Sequence, residues 1–134
     1  MRPLLLILLG IVIGAIATAN IVNALRQRDA YPRGLMSVMQ HHLADLRKPA
    51  STTNCSSADV QTHLAVMHIL AKQIEGAVYV KQRVDPEFHG DVDRLRHALD
   101  AATSATTAPN PCAALPPALV RVGDACDNCH RSFR

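Results

Sequence analysis

Apolar positions recur along this chain with a period near 3.6 and never sustain an alternation of two, so the sequence predicts helices and no strands. The first amphipathic run follows Asp29-Ala30-Tyr31-Pro32, with Pro32 suited to the first helical position. Its apolar stripe is Leu35, Met36, Met39, Leu43 and Leu46, and Pro49 is expected to end it. After the polar loop ASTTNCSSAD, with Ser57 or Asp59 as N-cap, a second stripe runs through Val60, Leu64, Met67, Leu70, Ile74 and Val78. Asp85-Pro86 is a cap followed by a proline, and the third stripe is Phe88, Val92, Leu95, Leu99 and Ala102. A fourth, expected after Pro116-Pro117, aligns Leu119, Val122, Cys126, Cys129 and Phe133. Four such helices with short or moderate loops predict an all-α domain, an antiparallel up-down-up-down four-helix bundle.

Ahead of the bundle, residues Pro3 to Leu25 form 23 residues without a charge, flanked by Arg2 on one side and Arg26 and Arg28 on the other. Ala17-Thr18-Ala19 would serve as a small-x-small cleavage site for a signal peptide. The uncharged stretch exceeds the roughly 20 residues that span a bilayer core, which favours an uncleaved anchor. Thr18, Asn20 and Asn23 weigh against that choice. Residues 1–28 are therefore expected to be a signal peptide or transmembrane anchor, and 29–134 the bundle domain. Either way the domain is exported, with a periplasmic location tethered to the inner membrane as the expectation. Gly10 and Gly14 are spaced to let two membrane helices approach, a weak pointer to a homodimer.

The net charge of +3 changes this picture little. Three of the basic residues flank the apolar segment, and no basic run is interleaved with aromatics, so no nucleic-acid partner is expected. The only aromatics are Tyr31, Tyr79, Phe88 and Phe133, with no Trp. A domain of about 105 residues with so few large side chains has little with which to build a core.

The chain closes on CDNCHRSFR, residues 126 to 134. Two thiols separated by two residues, with a histidine directly after, suit covalent attachment of haem c. Cys126 and Cys129 would form thioethers with the vinyl groups, and His130 would reach the iron from the proximal face. A porphyrin would also supply missing core. Other readings compete. A zinc site would usually join this pair to a second close pair, whereas Cys55 and Cys112 stand apart. A redox CxxC belongs at a helix N-terminus near a strand, where the helix dipole lowers a thiol pKa. A chance arrangement, with the two thiols as a structural disulfide in a haem-free exported module, is the remaining one.

VGDACDNCHRSFR resembles the C-terminal end of the cytochrome c′ family, where VG-x-x-CxxCH precedes an aromatic and a basic residue. YPRGLMSVMQHHL is similar to that family's first-helix motif, so the likeness covers about a third of the chain. Cytochrome c′ is itself among the bundles behind the up-down-up-down rule, so fold and family are not independent inferences. The resemblance implies one haem in a bacterial periplasm. It offers two activities: one-electron transfer in low-spin members with a methionine as sixth ligand, or NO and CO binding at a five-coordinate iron. It matches Cys126 and Cys129 to the thioether cysteines and His130 to the proximal ligand. It places Met36 at the distal position, Arg33 near the haem propionates and Arg134 against the proximal side. The chain departs from the family in the tight connection VKQRVDPEF between the second and third helices, which would leave one haem edge exposed.

In an antiparallel bundle the end of the fourth helix lies beside the start of the first, so haem on His130 meets the turns after Pro32. That geometry with the resemblance selects Met36 as the sixth ligand and leaves Met39 as packing. His42 is about 9 Å beyond Met36 along the helix axis and on another face, while His63 and His68 are five apart and form no ligand pair. His41, His89 and His97 read as solvated surface. The expected function is electron transfer with redox partner proteins, not enzymatic catalysis, and gas binding is the alternative. Cys55 and Cys112 remain once the motif is assigned. Both are expected in loops at the pole of the bundle opposite the haem, so a disulfide between them is expected in an oxidising compartment.

Overall fold

The computed structural model describes residues 2–50, 54–78 and 85–133, with backbone alone at 2–6, 25–29, 49 and 50. The described residues are helical and include no strand: α1 is Arg2–Ala50, α2 Ala58–Ala77, α3 Pro86–Thr106 and α4 Pro111–Ser132. The chain divides into two compact units, residues 1–33 and 34–134.

In the first unit, Ile7–Ala24 is an 18-residue stretch of mean hydropathy 2.1, none of it buried, long and apolar enough to cross a membrane. The Thr18 hydroxyl donates to the Gly14 carbonyl at 2.8 Å. This meets the demand an apolar solvent makes on a hydroxyl, and removes the objection Thr18 raised against a spanning helix. A Cβ at Gly10 or Gly14 would meet nothing within 4 Å.

Two helix starts differ from expectation. Pro32 does not open a helix; it lies inside α1, which also runs through Pro49 to Ala50. No glycine lies between Gly14 and Pro32, and one lost backbone bond is insufficient to stop a helix already propagating. The fourth helix starts at Pro111, not after Pro116-Pro117. Asn110 caps it, its side chain accepting from the Ala113 N–H at 3.3 Å, and Pro111 takes the first-turn position where a missing N–H costs nothing. Burial of Leu115 and Ala118 offsets the two later prolines. The other starts match the reading: the Ser57 hydroxyl accepts from the Val60 N–H at 3.3 Å, and Asp85 accepts from the Glu87 N–H at 2.8 Å.

The core of the second unit is one cluster to which all four helices contribute. α1 supplies Leu35, Met39, Leu43 and Leu46; α2 supplies Val60, Leu64, Met67 and Ile74. α3 packs against both α2 and α4. Its stripe of Phe88, Val92, Leu95, Leu99 and Ala102 is buried throughout. The scarcity of aromatics is met by alanines at helix contacts, among them Ala71, Ala102 and Ala118, each 1% exposed or less. Small side chains let helix axes approach, so aliphatic neighbours close the gap without large rings.

The disulfide between Cys55 and Cys112 is present, with the Cα atoms 5.1 Å apart. Cys55 lies in the turn before α2, as expected, but Cys112 lies in the first turn of α4 and not in a loop. The bond ties the approach to α2 to the start of α4.

Candidate functional site

The last two turns of α4 carry the CDNCH motif. Cys126 and Cys129, three residues apart, lie on neighbouring turns of one helix face. Both are half-buried and pack against the edge of the core, as do Met36, Ala125 and Phe133. Phe133 meets Phe88 edge-on, ring centroids 5.4 Å apart, which seats the end of α4 on α3. His130 is exposed.

Both thiols are free, and the disulfide commits Cys55 and Cys112 to each other, so neither can complete a four-cysteine set. Burial pushes the Cys129 thiol up to about 11; the Asp91 carboxylate and Cys126 add to this, and Arg94 opposes it. Burial also raises Cys126, assisted by Asp127 and opposed by Arg47. These are the reverse of the shifts that make a redox CxxC reactive. The pair is therefore poorly suited to thiol–disulfide exchange.

One element of the site was not legible beforehand. Asp91 of α3, only 1% exposed, accepts from the Asn128 amide at 2.9 Å, and Arg94 donates to the same oxygen. Its other oxygen, Oδ2, has no hydrogen-bond partner. Asn128 is the second residue between the two cysteines, so this bond fixes the motif's turn against α3. On the outer side the Ser132 hydroxyl donates to Glu87 at 3.2 Å, a second tie between the same helices. Asp91 stands three residues after Phe88 and four before Leu95, on the stripe itself, so helical spacing was the signal of its burial and its charge obscured it.

Gly123, one turn before Cys126, is buried, and a Cβ there would lie 2.6 Å from the Arg47 guanidinium. The Arg47 guanidinium of α1 thus lies close over the α4 backbone where it leads into the motif.

The other expected residues distribute as follows. Met36 is half-buried against the core, and Met39 is buried at 4% exposure. Arg33 is exposed and belongs to the first unit. Arg134 lies outside the described residues, as does most of the connection between the second and third helices. His41 is exposed beside Asp45, and His68 is held by Thr103 at 3.1 Å. His89 lies 3.7 Å from Glu75. His42, assigned no role, makes a close contact with His63 of α2. Among the described residues no group of three or more His, Cys, Asp and Glu side chains converges as a metal centre.

No family model matches the chain, and neither a curated protein nor a solved structure does. The functional reading therefore rests on the chemistry of the motif and on the placement of its side chains.

The donor set fits a haem. Two uncommitted thiols pack against the apolar core, and an exposed imidazole follows the second thiol. A flat apolar macrocycle needs such a border, with attachment points on one side and ligands at its face.

Proposed function

We propose that this chain is a periplasmic mono-haem c-type cytochrome, tethered to the inner membrane by its N-terminal helix, that carries single electrons between redox partner proteins. The domain is read as an antiparallel up-down-up-down bundle of the cytochrome c′ type. The observation that carries the proposal is the pair of free, half-buried thiols of CDNCH packed against the core at the end of α4.

In this reading Cys126 and Cys129 hold the macrocycle by thioether bonds, His130 is the proximal ligand and Met36 the distal one. The bound iron supplies the one-electron couple, which the protein tunes through ligand identity, burial and hydrogen bonding. Asp91 and Asn128 hold the turn that carries His130, so the proximal side is built on the α3–α4 contact. Phe133 and the apolar margin exclude water from one edge. Arg33 and Arg134 are assigned to the propionates and the proximal side by the resemblance alone. The apolar segment Ile7–Ala24 supplies the tether, with Arg2 on its cytoplasmic side in this reading.

An absorption spectrum of the protein expressed with c-type maturation machinery tests this. A low-spin reduced spectrum indifferent to CO is the expected result. A high-spin spectrum shifted by CO would replace electron transfer with gas binding, Met36 then lying over an open iron position. Absence of haem bands would leave a haem-free exported helical module.

A further inference from the structure

His42 of α1 and His63 of α2 come together although 21 residues separate them, with Nδ1 of one ring 2.7 Å from Nδ1 of the other. Their centroids are 4.9 Å apart and the planes are inclined at 62°, so the rings meet through nitrogen edges and are not stacked. The contact is part-buried, and the His63 side chain is 18% exposed. At that separation one Nδ1 carries a proton and the other offers its lone pair. Two aimed nitrogens with a single proton between them have the form of a chelate closed on itself.

From this geometry we infer that His42 and His63 bind one divalent first-row transition-metal ion, with Cu2+ the tightest. The ion replaces the shared proton. Imidazole nitrogens coordinate at about 2.0–2.1 Å, so the two must open to roughly 3.2 Å, a half-ångström movement that side-chain rotation supplies. The histidine that held the Nδ1 proton releases it to solvent and takes one at Nε2, so both rings bind as neutral ligands and no net proton is lost. Water completes the coordination.

The surroundings support this. Asp59 Oδ1 lies 3.6 Å from His63 Nε2, behind the ring and away from the contact. A carboxylate behind the distal nitrogen orients a metal-binding imidazole and raises its basicity. Asp45, one turn beyond His42, acts electrostatically on both histidines and places a second negative charge near the ion. Burial, then the neighbouring His63 and His41, hold His42 below the usual histidine range, which favours the neutral, ligating form. Imidazole pairs take Cu2+ ahead of Zn2+ and Ni2+ in the general order of stability. Neither histidine takes part in the haem reading, so this site stands or falls independently of it.

The test is titration of tag-free, full-length, chelator-treated protein in detergent with Cu2+, followed by calorimetry and electron paramagnetic resonance. One ion per chain should bind with a Kd below about 100 μM, and the copper signal should show coupling to two nitrogens. His42→Gln and His63→Gln should each weaken binding roughly tenfold or more, whereas His97→Gln, an exposed residue of α3, should not change it. No binding in this range overturns the proposal, as does a double His42→Gln/His63→Gln variant that binds like the parent. A readout without variants guards against misfolding: substoichiometric Cu2+ should broaden the ring proton resonances of His42 and His63 first. Broadening that begins at other histidines overturns the proposal whatever the variants do.

Discussion

The Asn128 amide donates to the Asp91 carboxylate across 2.9 Å, joining the residue between the paired cysteines to an acid that is 1% exposed. The carboxylate is held on one oxygen only, by Asn128 and Arg94, while Oδ2 is unpartnered. Removing Asn128 withdraws a donor from a buried charge, whereas removing Asp91 frees Arg94, whose side chain is 56% exposed, to return to water. Asn128→Ala should therefore destabilise by about 1–3 kcal/mol, and Asp91→Leu should cost less. Urea unfolding of both variants and their double mutant checks this; strictly additive effects would show that the pair is not coupled.

Met36 and Met39 should behave differently. Met39 is 4% exposed, so Met39→Ala should cost about 2–5 kcal/mol with the haem spectrum kept. Met36 is only half-buried, so Met36→Ala should cost less stability but turn the spectrum towards high spin and open the iron to CO. An unchanged low-spin spectrum in Met36→Ala would remove it as a ligand.

Thiol reactivity in protein made without haem-maturation machinery should be low. With Cys129 pushed up to about 11, chiefly by burial, only about a thousandth of it is thiolate at pH 8. Iodoacetamide should label it slowly at pH 8 and progressively faster as pH rises towards 11. Rapid labelling at pH 7, as in thioredoxin-type motifs, would show that burial does not hold the Cys129 thiol protonated.

The Cys55–Cys112 bond joins residues 57 apart in sequence. Closing a loop of that size contributes about 4 kcal/mol in the chain-entropy account. The Cys55→Ser/Cys112→Ser double variant should lose stability of that order while keeping its haem, since the bond lies apart from the motif in sequence and chemistry. Two alkylatable thiols in the unreduced, denatured holoprotein would show that the bond does not form.

Intact-mass measurement on the native protein tests the tether. Retention of the Ile7–Ala24 segment is the expected result, whereas an N-terminus at Asn20 would mean that the segment is a signal peptide and that Gly10 and Gly14 cannot mediate a dimer.

What the sequence determined by itself was whatever depends on neighbours within a turn or two. The Ser57 and Asp85 caps and the α3 stripe from Phe88 to Ala102 follow from 3.6-residue periodicity and local backbone hydrogen bonding, and both are present. The CDNCH motif was legible for the same reason, since its spacing along one helix is its chemistry. Local rules misplaced Pro32, Pro116 and Pro117, because helix propagation and burial on either side outweigh the lost backbone bonds. The Cys55–Cys112 pair was reached through reasoning about topology, though Cys112 proved helical. Only the tertiary structure decided that Asp91 is buried under Asn128, 37 residues away, and that His42 meets His63. Each contact depends on how one helix is rotated against another, and that rotation is set by the whole core, which no local pattern records.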